Sequence, residues 1–139
     1  MKTIFISIFI IILSLGVVLA QTQRIEGGSI TGSQTWNGTI LISGDVTLEL
    51  NSRLLIEPGT QILFAANTDL TRSGKDKTRS ELIIHGTLIA RGLPGKQILF
   101  SSAASGKRMG DWYGIEFLHL KSGSTFEYCV VEYAYTGLS

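Results

Sequence analysis

The heptapeptide PGTQILF at residues 58–64 returns as PGKQILF at residues 94–100, with six of the seven positions identical. The two copies contain the only prolines of the chain. An internal repeat constrains the architecture because each copy is expected to build the same supersecondary unit. The copies begin 36 positions apart. Allowing about twelve residues for the polar insertion at residues 67–80 leaves a unit of about 24 residues, which is typical of solenoid repeats.

Short apolar runs separated by Gly-containing turns make up the chain after residue 20. None has helical periodicity, and all are rich in residues that strands prefer. They are GTILI, GDVTLEL, RLLIE, TQILFAA, ELIIHGTLIA, KQILFSSAA, YGIEFLHL and FEYCVVEYA. A sandwich or meander would be favoured by two-residue hairpin turns, and Asn37-Gly38 is the one such pair. We therefore predict an all-β fold, a parallel β-helix in which equivalent strands of successive coils stack.

The alternation of each strand predicts which side chains fill the interior of this β-helix. Ile62 and Phe64 should point inward and stack near Ile98 and Phe100. The later strands continue the pattern in GIEF and CVVEY, and there the predicted inward residues are Ile115, Phe117, Cys129, Val131 and Tyr133, with Glu116 and Glu132 outward.

Three longer segments carry a family resemblance: TLELNSRLLIEPGTQILF, LIIHGTLIARGLPGKQILFSS and GDWYGIEFLHLKSGSTFEYCVVEYA. In their order they resemble the opening coils of secreted bacterial right-handed parallel β-helix proteins, the pectate-lyase-like superfamily. The resemblance covers residues 44–137. It implies a right-handed solenoid, for which we expect an N-terminal cap at residues 21–43 and about three coils at residues 44–139.

Members of that superfamily are typically much longer than this chain. The final residues, YAYTGLS, follow an early coil without the polar cap that the end of a solenoid needs. The expectation is a fragment truncated at its C-terminus. The other interpretation is an open C-terminal end covered by a partner, through stacking or self-association.

Residues 1–20 have the layout of a secretory signal peptide, with Lys2, a long apolar run and a small-residue end before polar residues. An uncleaved anchor is disfavoured because the run is shorter than a spanning helix needs. We predict a secreted or cell-surface protein with no membrane association after cleavage. Without Lys2 the chain carries 11 basic and 11 acidic residues. It lacks the basic footprint of nucleic-acid-binding proteins.

Two features are expected to be structural rather than reactive. The charged segment at residues 71–79 is interpreted as a solvated loop, because it is polar and contains no aromatic residue. Cys129 is the single cysteine, so it can form no internal disulfide. Its neighbours indicate a strand, and the thiol is expected to behave as a small buried hydrophobe rather than as a reactive or cross-linking group.

The resemblance implies two possible chemical types of enzyme, lyases with clustered Asp residues that hold Ca²⁺ and hydrolases with paired carboxylates. Here the four Asp residues are scattered, at positions 45, 69, 76 and 111. The best acidic-plus-His set is Asp111, Glu116 and His119. His119 should point away from Glu116 because they are three residues apart along a strand. The favoured interpretation is that Trp112 packs at a corner, Asp111 caps the turn and Glu116 is solvated.

Other candidates receive similar interpretations. Glu116 and Glu132 could stack on one outer face, and His85 is interpreted as a hydrogen-bonded turn residue. Two His and one Cys give no metal-binding spacing. Aromatic side chains that could stack on sugars are Trp36, Trp112, Tyr113 and Tyr135, although core packing explains most strand aromatics. We assign no catalytic, cofactor-binding or metal-binding residue and expect no cofactor.

The sequence leaves two hypotheses for function. The first is a non-catalytic exported β-helix scaffold at a surface, interacting with a polysaccharide or cell-surface glycan. The second is the N-terminal part of a polysaccharide lyase or glycoside hydrolase whose active site lies beyond residue 139. The first needs only the signal, the repetitive core and the polar exterior. Whether the full protein is an enzyme stays open.

Overall fold

Parallel pairing between strands three positions apart in sequence organises the whole molecule. The computed structural model describes residues 21–119 and 123–139, and the predicted signal peptide at residues 1–20 lies outside the described residues. The described strands are β1 (Thr22–Ile25), β2 (Gly28–Ile30), β3 (Ser33–Trp36), β4 (Thr39–Ile42), β5 (Val46–Leu48), β6 (Arg53–Ile56), β7 (Gln61–Phe64), β8 (Glu81–Ile84), β9 (Thr87–Arg91), β10 (Ile98–Ser102), β11 (Trp112–Phe117), β12 (Thr125–Glu127), β13 (Cys129–Val131) and β14 (Ala134–Leu138).

These strands form three parallel sheets. Their orders are β1-β4-β7-β10-β13, β2-β5-β8-β11-β14 and β3-β6-β9-β12. We call them the first, second and third sheet. Each of the first four coils gives one strand to each sheet, and the last described strands, β13 and β14, join the first and second sheets. All interstrand pairs between named strands are parallel. The predicted all-β parallel β-helix is therefore confirmed. Its right-handedness stays a prediction.

The interior is an apolar column built from alternate residues of all three sheets. Its fully buried members come from successive coils, so each strand covers the one before it. They include Ile40, Ile42, Leu48, Leu54, Ile62, Phe64, Leu82, Leu88, Ile98, Phe100, Trp112 and Ile115. Phe64 and Trp112 stack face to face across the column, with ring centroids 4.0 Å apart. This confirms the inward positions predicted for the repeated heptapeptide and for Ile115.

The two copies of the heptapeptide do not pair residue for residue. Phe100 lies opposite Ile62, and Ser102 lies opposite Phe64. The register is therefore displaced by two residues from the alignment of the sequences. An even displacement leaves every side chain on its own face of the sheet, so the interior tolerates it. In the second copy, two more residues lie between the Pro-Gly turn and the paired position than in the first copy.

Both Pro-Gly pairs form tight turns. Gly59 and Gly95 have φ values of 79° and 76°. The N–H of the residue after each glycine donates to the carbonyl before each proline, from Thr60 to Glu57 (3.2 Å) and from Lys96 to Leu93 (2.9 Å). Proline followed by a glycine with positive φ is the signature of a type II turn. The predicted role of Pro-Gly as a corner is confirmed.

The two ends of the column differ in polarity. In the first coil, inward positions are occupied by Gln23 and Gln34, which are in register with Ile40 and Leu54. The last coil has apolar residues at its inward positions. These are Phe126, Cys129 and Val131, which are partly buried, and Leu138, which is 47% exposed.

The last coil departs from the predicted alternation at one residue. Tyr133 was expected inside, but it occupies the corner between β13 and β14 with a φ of 59°. Ala134 takes the interior position instead and is in register with Trp112. The corner changes the phase of the alternation, because its left-handed conformation turns the chain between two sheets.

The interior column makes a specific prediction for Phe64→Ala. The variant loses the ring stacked on Trp112 and leaves a cavity, so the free energy of unfolding should fall by about 3–5 kcal/mol. Urea denaturation followed by tryptophan fluorescence measures it. The matched control is Leu63→Ala, because Leu63 is the half-buried outward neighbour on the same strand. Equal losses for the two variants would contradict the assigned alternation.

Candidate functional site

The acidic-plus-His set predicted from the sequence does not come together. Asp111 is buried, and its Oδ2 accepts hydrogen bonds from Ser102 Oγ (2.6 Å) and the Arg108 N–H (3.0 Å). It thus holds the loop before β11, as expected of a turn cap. His119 is exposed, and its ring lies 5.5 Å from the ring of His85. No hydrogen bond or ion pair links Asp111, Glu116 and His119 in the described chain.

Glu116 was expected to be solvated, and that prediction is wrong. The residue is only 7% exposed, and its carboxylate forms an ion pair with Lys75. Lys75 belongs to residues 67–80, which we call the inserted loop. The carboxylate does face outward, but the inserted loop covers it. The alternation of residues predicts on which face of the sheet a side chain lies, but it does not predict which segment packs against that face.

The second carboxylate pair considered from the sequence is also not formed. Glu116 lies on β11 of the second sheet, whereas Glu132 follows β13 of the first sheet. Glu132 Oε1 instead accepts a hydrogen bond from Ser101 Oγ at 2.7 Å. His85 lies in the turn after β8, where its backbone N–H donates to the Leu48 carbonyl (2.9 Å). Among the residues described, no group of three His, Cys, Asp or Glu is placed to hold a metal ion.

Asp45 is the main anchor of the inserted loop. Its side chain is buried just before β5. Oδ2 accepts hydrogen bonds from the Ser73 N–H (2.8 Å), the Gly74 N–H (2.7 Å), Ser73 Oγ (3.0 Å) and Thr71 Oγ1 (3.1 Å). Oδ1 accepts one from the Glu81 N–H (3.0 Å). One carboxylate therefore ties the loop to two neighbouring coils.

Glu81 is a second buried carboxylate beneath the loop. It begins β8 on the rung next to Asp45, since Val46 pairs with Leu82. Its Oε1 accepts hydrogen bonds from the N–H groups of Lys75 and Asp76. Burial is the main cause that raises the pKa of the Glu81 carboxyl above its ordinary value.

A groove of about 440 Å³ runs beside the loop on the second sheet. Its lining combines loop residues with outward residues of three coils: Thr47, Ser73, Gly74, Lys75, Ile83, His85, Glu116 and Leu118. The loop is exposed along most of its length, as predicted for residues 71–79. Its backbone is nevertheless fixed by Asp45 and Glu81.

Sequence reasoning missed Asp45 and Glu81 as anchors. A signal was present, because each acidic residue immediately precedes an apolar strand, in GDVTL and in SELII. A carboxylate at the border of a buried strand needs hydrogen-bond donors once it is covered. Their partners could not be predicted, because they lie on a loop inserted between distant coils.

The aromatic candidates separate into core and surface residues. Trp36 and Trp112 are buried. Tyr113 is half-buried, Tyr135 is 64% exposed, and their ring centroids lie 6.0 Å apart. The Arg79 guanidinium lies 4.3 Å from the centre of the Tyr135 ring, which is the geometry of a cation–π contact. We call Tyr113, Tyr135 and Arg79 the aromatic surface.

No protein-family model, curated protein or solved structure matches this chain. The parallel β-helix therefore rests on the strand pairing alone. In the described ranges, no helix has the length and apolar character to cross a membrane.

Replacing Asp45 by Ala should release the inserted loop. The N–H groups of Ser73 and Gly74 would lose a buried acceptor, at a cost of about 1–3 kcal/mol. At one fixed pH, we expect trypsin to cleave after the loop's basic residues at least tenfold faster, with products identified by mass spectrometry. The control is Glu57→Ala, which removes an exposed carboxylate before a turn. Cleavage of the Asp45 variant at the wild-type rate would show that this carboxylate does not hold the loop.

Cys129 should be a slow nucleophile, in agreement with its interpretation as a packed residue. Burial raises the pKa of its thiol from 9.0 to about 11. Since only the thiolate reacts, alkylation by iodoacetamide at pH 8 should be about a hundredfold slower than for a thiol of pKa 9.0. Mass spectrometry against the urea-unfolded chain measures the difference, and similar native and unfolded rates would contradict it.

Proposed function

We propose that this chain is a non-catalytic exported β-helix scaffold that interacts with glycans at a surface. The observation that carries the proposal is the set of contacts that its buried carboxylates form. Asp45 and Glu81 bind backbone N–H groups of the inserted loop, Asp111 binds another loop, and Glu116 is neutralised by Lys75. An acid or base in catalysis needs access to substrate. Asp45, Glu81 and Asp111 face loops of their own chain, and Lys75 occupies the carboxylate of Glu116 at the groove.

The glycan part of the proposal is supported by the aromatic surface. Tyr113 and Tyr135 occupy successive coils with their rings side by side, tilted by 31°. Exposed aromatic faces with a polar handle favour ligands that combine apolar and hydroxyl groups, as sugar rings do. Arg79 is held by Asp76 and by the Gly110 carbonyl, so the rings keep their place beside a fixed guanidinium.

Export and membership of the pectate-lyase-like superfamily are also part of the proposal. They depend on the character of residues 1–20 and on the resemblance of residues 44–137. The parallel β-helix is compatible with that superfamily without singling it out, because a fold does not determine a function.

Tyr135→Ala should weaken glycan binding by about five- to tenfold, since a stacking contact contributes about 1 kcal/mol. The measurement is affinity electrophoresis in gels containing acidic or neutral polysaccharides. The control is Tyr128→Asn, which removes another exposed tyrosine and keeps a residue that tolerates the positive φ at that position. If both variants and the wild type are retarded equally, the aromatic surface does not bind the glycan.

The scaffold and enzyme hypotheses differ in turnover. Purified protein lacking residues 1–20 should release neither unsaturated products nor reducing ends from the same polysaccharides, with or without Ca²⁺. Turnover by this chain would overturn the scaffold proposal and favour a lyase or a hydrolase, according to the product.

A further inference from the structure

The inserted loop covers three carboxylates at the second sheet: Asp45 just before β5, Glu81 on β8 and Glu116 on β11. Asp45 is satisfied by hydrogen bonds from the loop, and Glu116 by the ammonium of Lys75. Glu81 differs from both. It is fully buried, and no donor among the residues that the structure describes reaches its Oε2.

Gly74 presses against Glu81 from the loop side. A Cβ atom at Gly74 would overlap the Glu81 carboxyl group, so the loop backbone is seated directly on it. The Lys75 and Asp76 N–H groups donate to Oε1 only. Any charge on Glu81 therefore lies under the loop with one oxygen unsolvated, which is costly.

The charged and titratable neighbours of Glu81 do not neutralise it. Lys75 gives its ammonium to Glu116, and Arg79 pairs with Asp76. The groups that face this cluster are Asp45 before β5, Asp69, Lys75, Asp76 and Arg79 on the loop, His85 after β8, and Tyr113 and Glu116 on β11. Carboxylates outnumber the basic groups, and the Lys75 and Arg79 side chains are engaged in other ion pairs.

We propose that Glu81 is a proton-binding switch that couples the seating of the inserted loop to pH. With Glu81 protonated, a neutral carboxyl group is buried and the loop stays in place. With Glu81 ionised, the loop lifts so that water reaches Oε2. Lifting the loop also separates Lys75 from Glu116 and widens the groove on the second sheet. The proposal does not rest on glycan binding, although Arg79 of the aromatic surface lies on the same loop.

The direction of the effect follows from the Glu81 environment. Burial raises the pKa of Glu81 in the seated state, the negative charges of Asp45 and Glu116 raise it further, and hydrogen bonds from the Lys75 and Asp76 N–H groups lower it. The seated loop thus binds the proton more tightly than the lifted loop. Its stabilisation is full below pH 4.5, the ordinary value, and is lost as the pH rises through the raised pKa.

Hydrogen exchange of the full chain lacking residues 1–20 tests the switch. Peptides covering residues 67–80 are followed by mass spectrometry from pH 4 to pH 8, with rates corrected for the intrinsic dependence of exchange on pH. Within the titration window, protection of the loop amides should fall by up to about tenfold per pH unit. Peptides from β4 and β7 in the first sheet should stay protected, because the column itself does not titrate.

Glu81→Gln should abolish this dependence. The neutral amide imitates the protonated acid, so loop protection should remain within about twofold of its acid value up to pH 8. The matched control is Glu57→Gln, which should keep the wild-type profile. A Glu81→Gln profile that falls like the wild type would show that another group controls the loop and would overturn the proposal, as would a flat wild-type profile.

Carbon NMR of the wild-type protein supplies a second measurement that needs no variant. The Glu81 side-chain carboxyl resonance, assigned through selective labelling, should titrate with a midpoint above 4.5. A midpoint at or below that value would overturn the proposal even if Glu81→Gln failed to fold.

Discussion

Register between successive coils is the constraint on which the rest of the structure depends. Each strand is buried on its inner face by side chains of the coils before and after it, and its backbone groups pair with those same coils. A shift by an odd number of residues would turn an apolar face outward along a whole strand. Shifts by two are tolerated, as the displaced pairing of Phe100 with Ile62 shows. The interior therefore fixes the phase of each strand and leaves the lengths of the connections free.

That freedom explains how a long polar insertion fits between β7 and β8. The column needs only that β8 returns to the second sheet beside β5 with Leu82 and Ile84 inward. The insertion then requires its own means of attachment. Asp45 and Glu81, which lie at the starts of two buried strands, provide this attachment. Two acidic side chains are thus buried at the edge of the column, where donors from the loop can reach them.

The sequence predicted much of the column and little of what lies outside it. The repeat, the short apolar runs and the two Pro-Gly corners indicated stacked coils, because these signals are local. The burial of Glu116 depends on Lys75, which is 41 positions earlier in the chain, and no local pattern records such a contact. The phase change at Tyr133 depends likewise on a corner conformation. Long-range contacts of irregular segments were the part that could not be predicted.

Attachment of the inserted loop has a consequence for sequence variation. Asp45 and Glu81 bind mainly backbone N–H groups, so they recognise the path of the chain rather than the identity of most side chains. Among the described residues, the exposed side chains of Arg72 and Lys77 form no hydrogen bond with either anchor. Mutations there can accumulate or be selected while the path is preserved. The exposed side chains of the inserted loop can therefore vary while the path of its backbone stays the same. In this respect the β-helix resembles a constant framework that carries a variable loop.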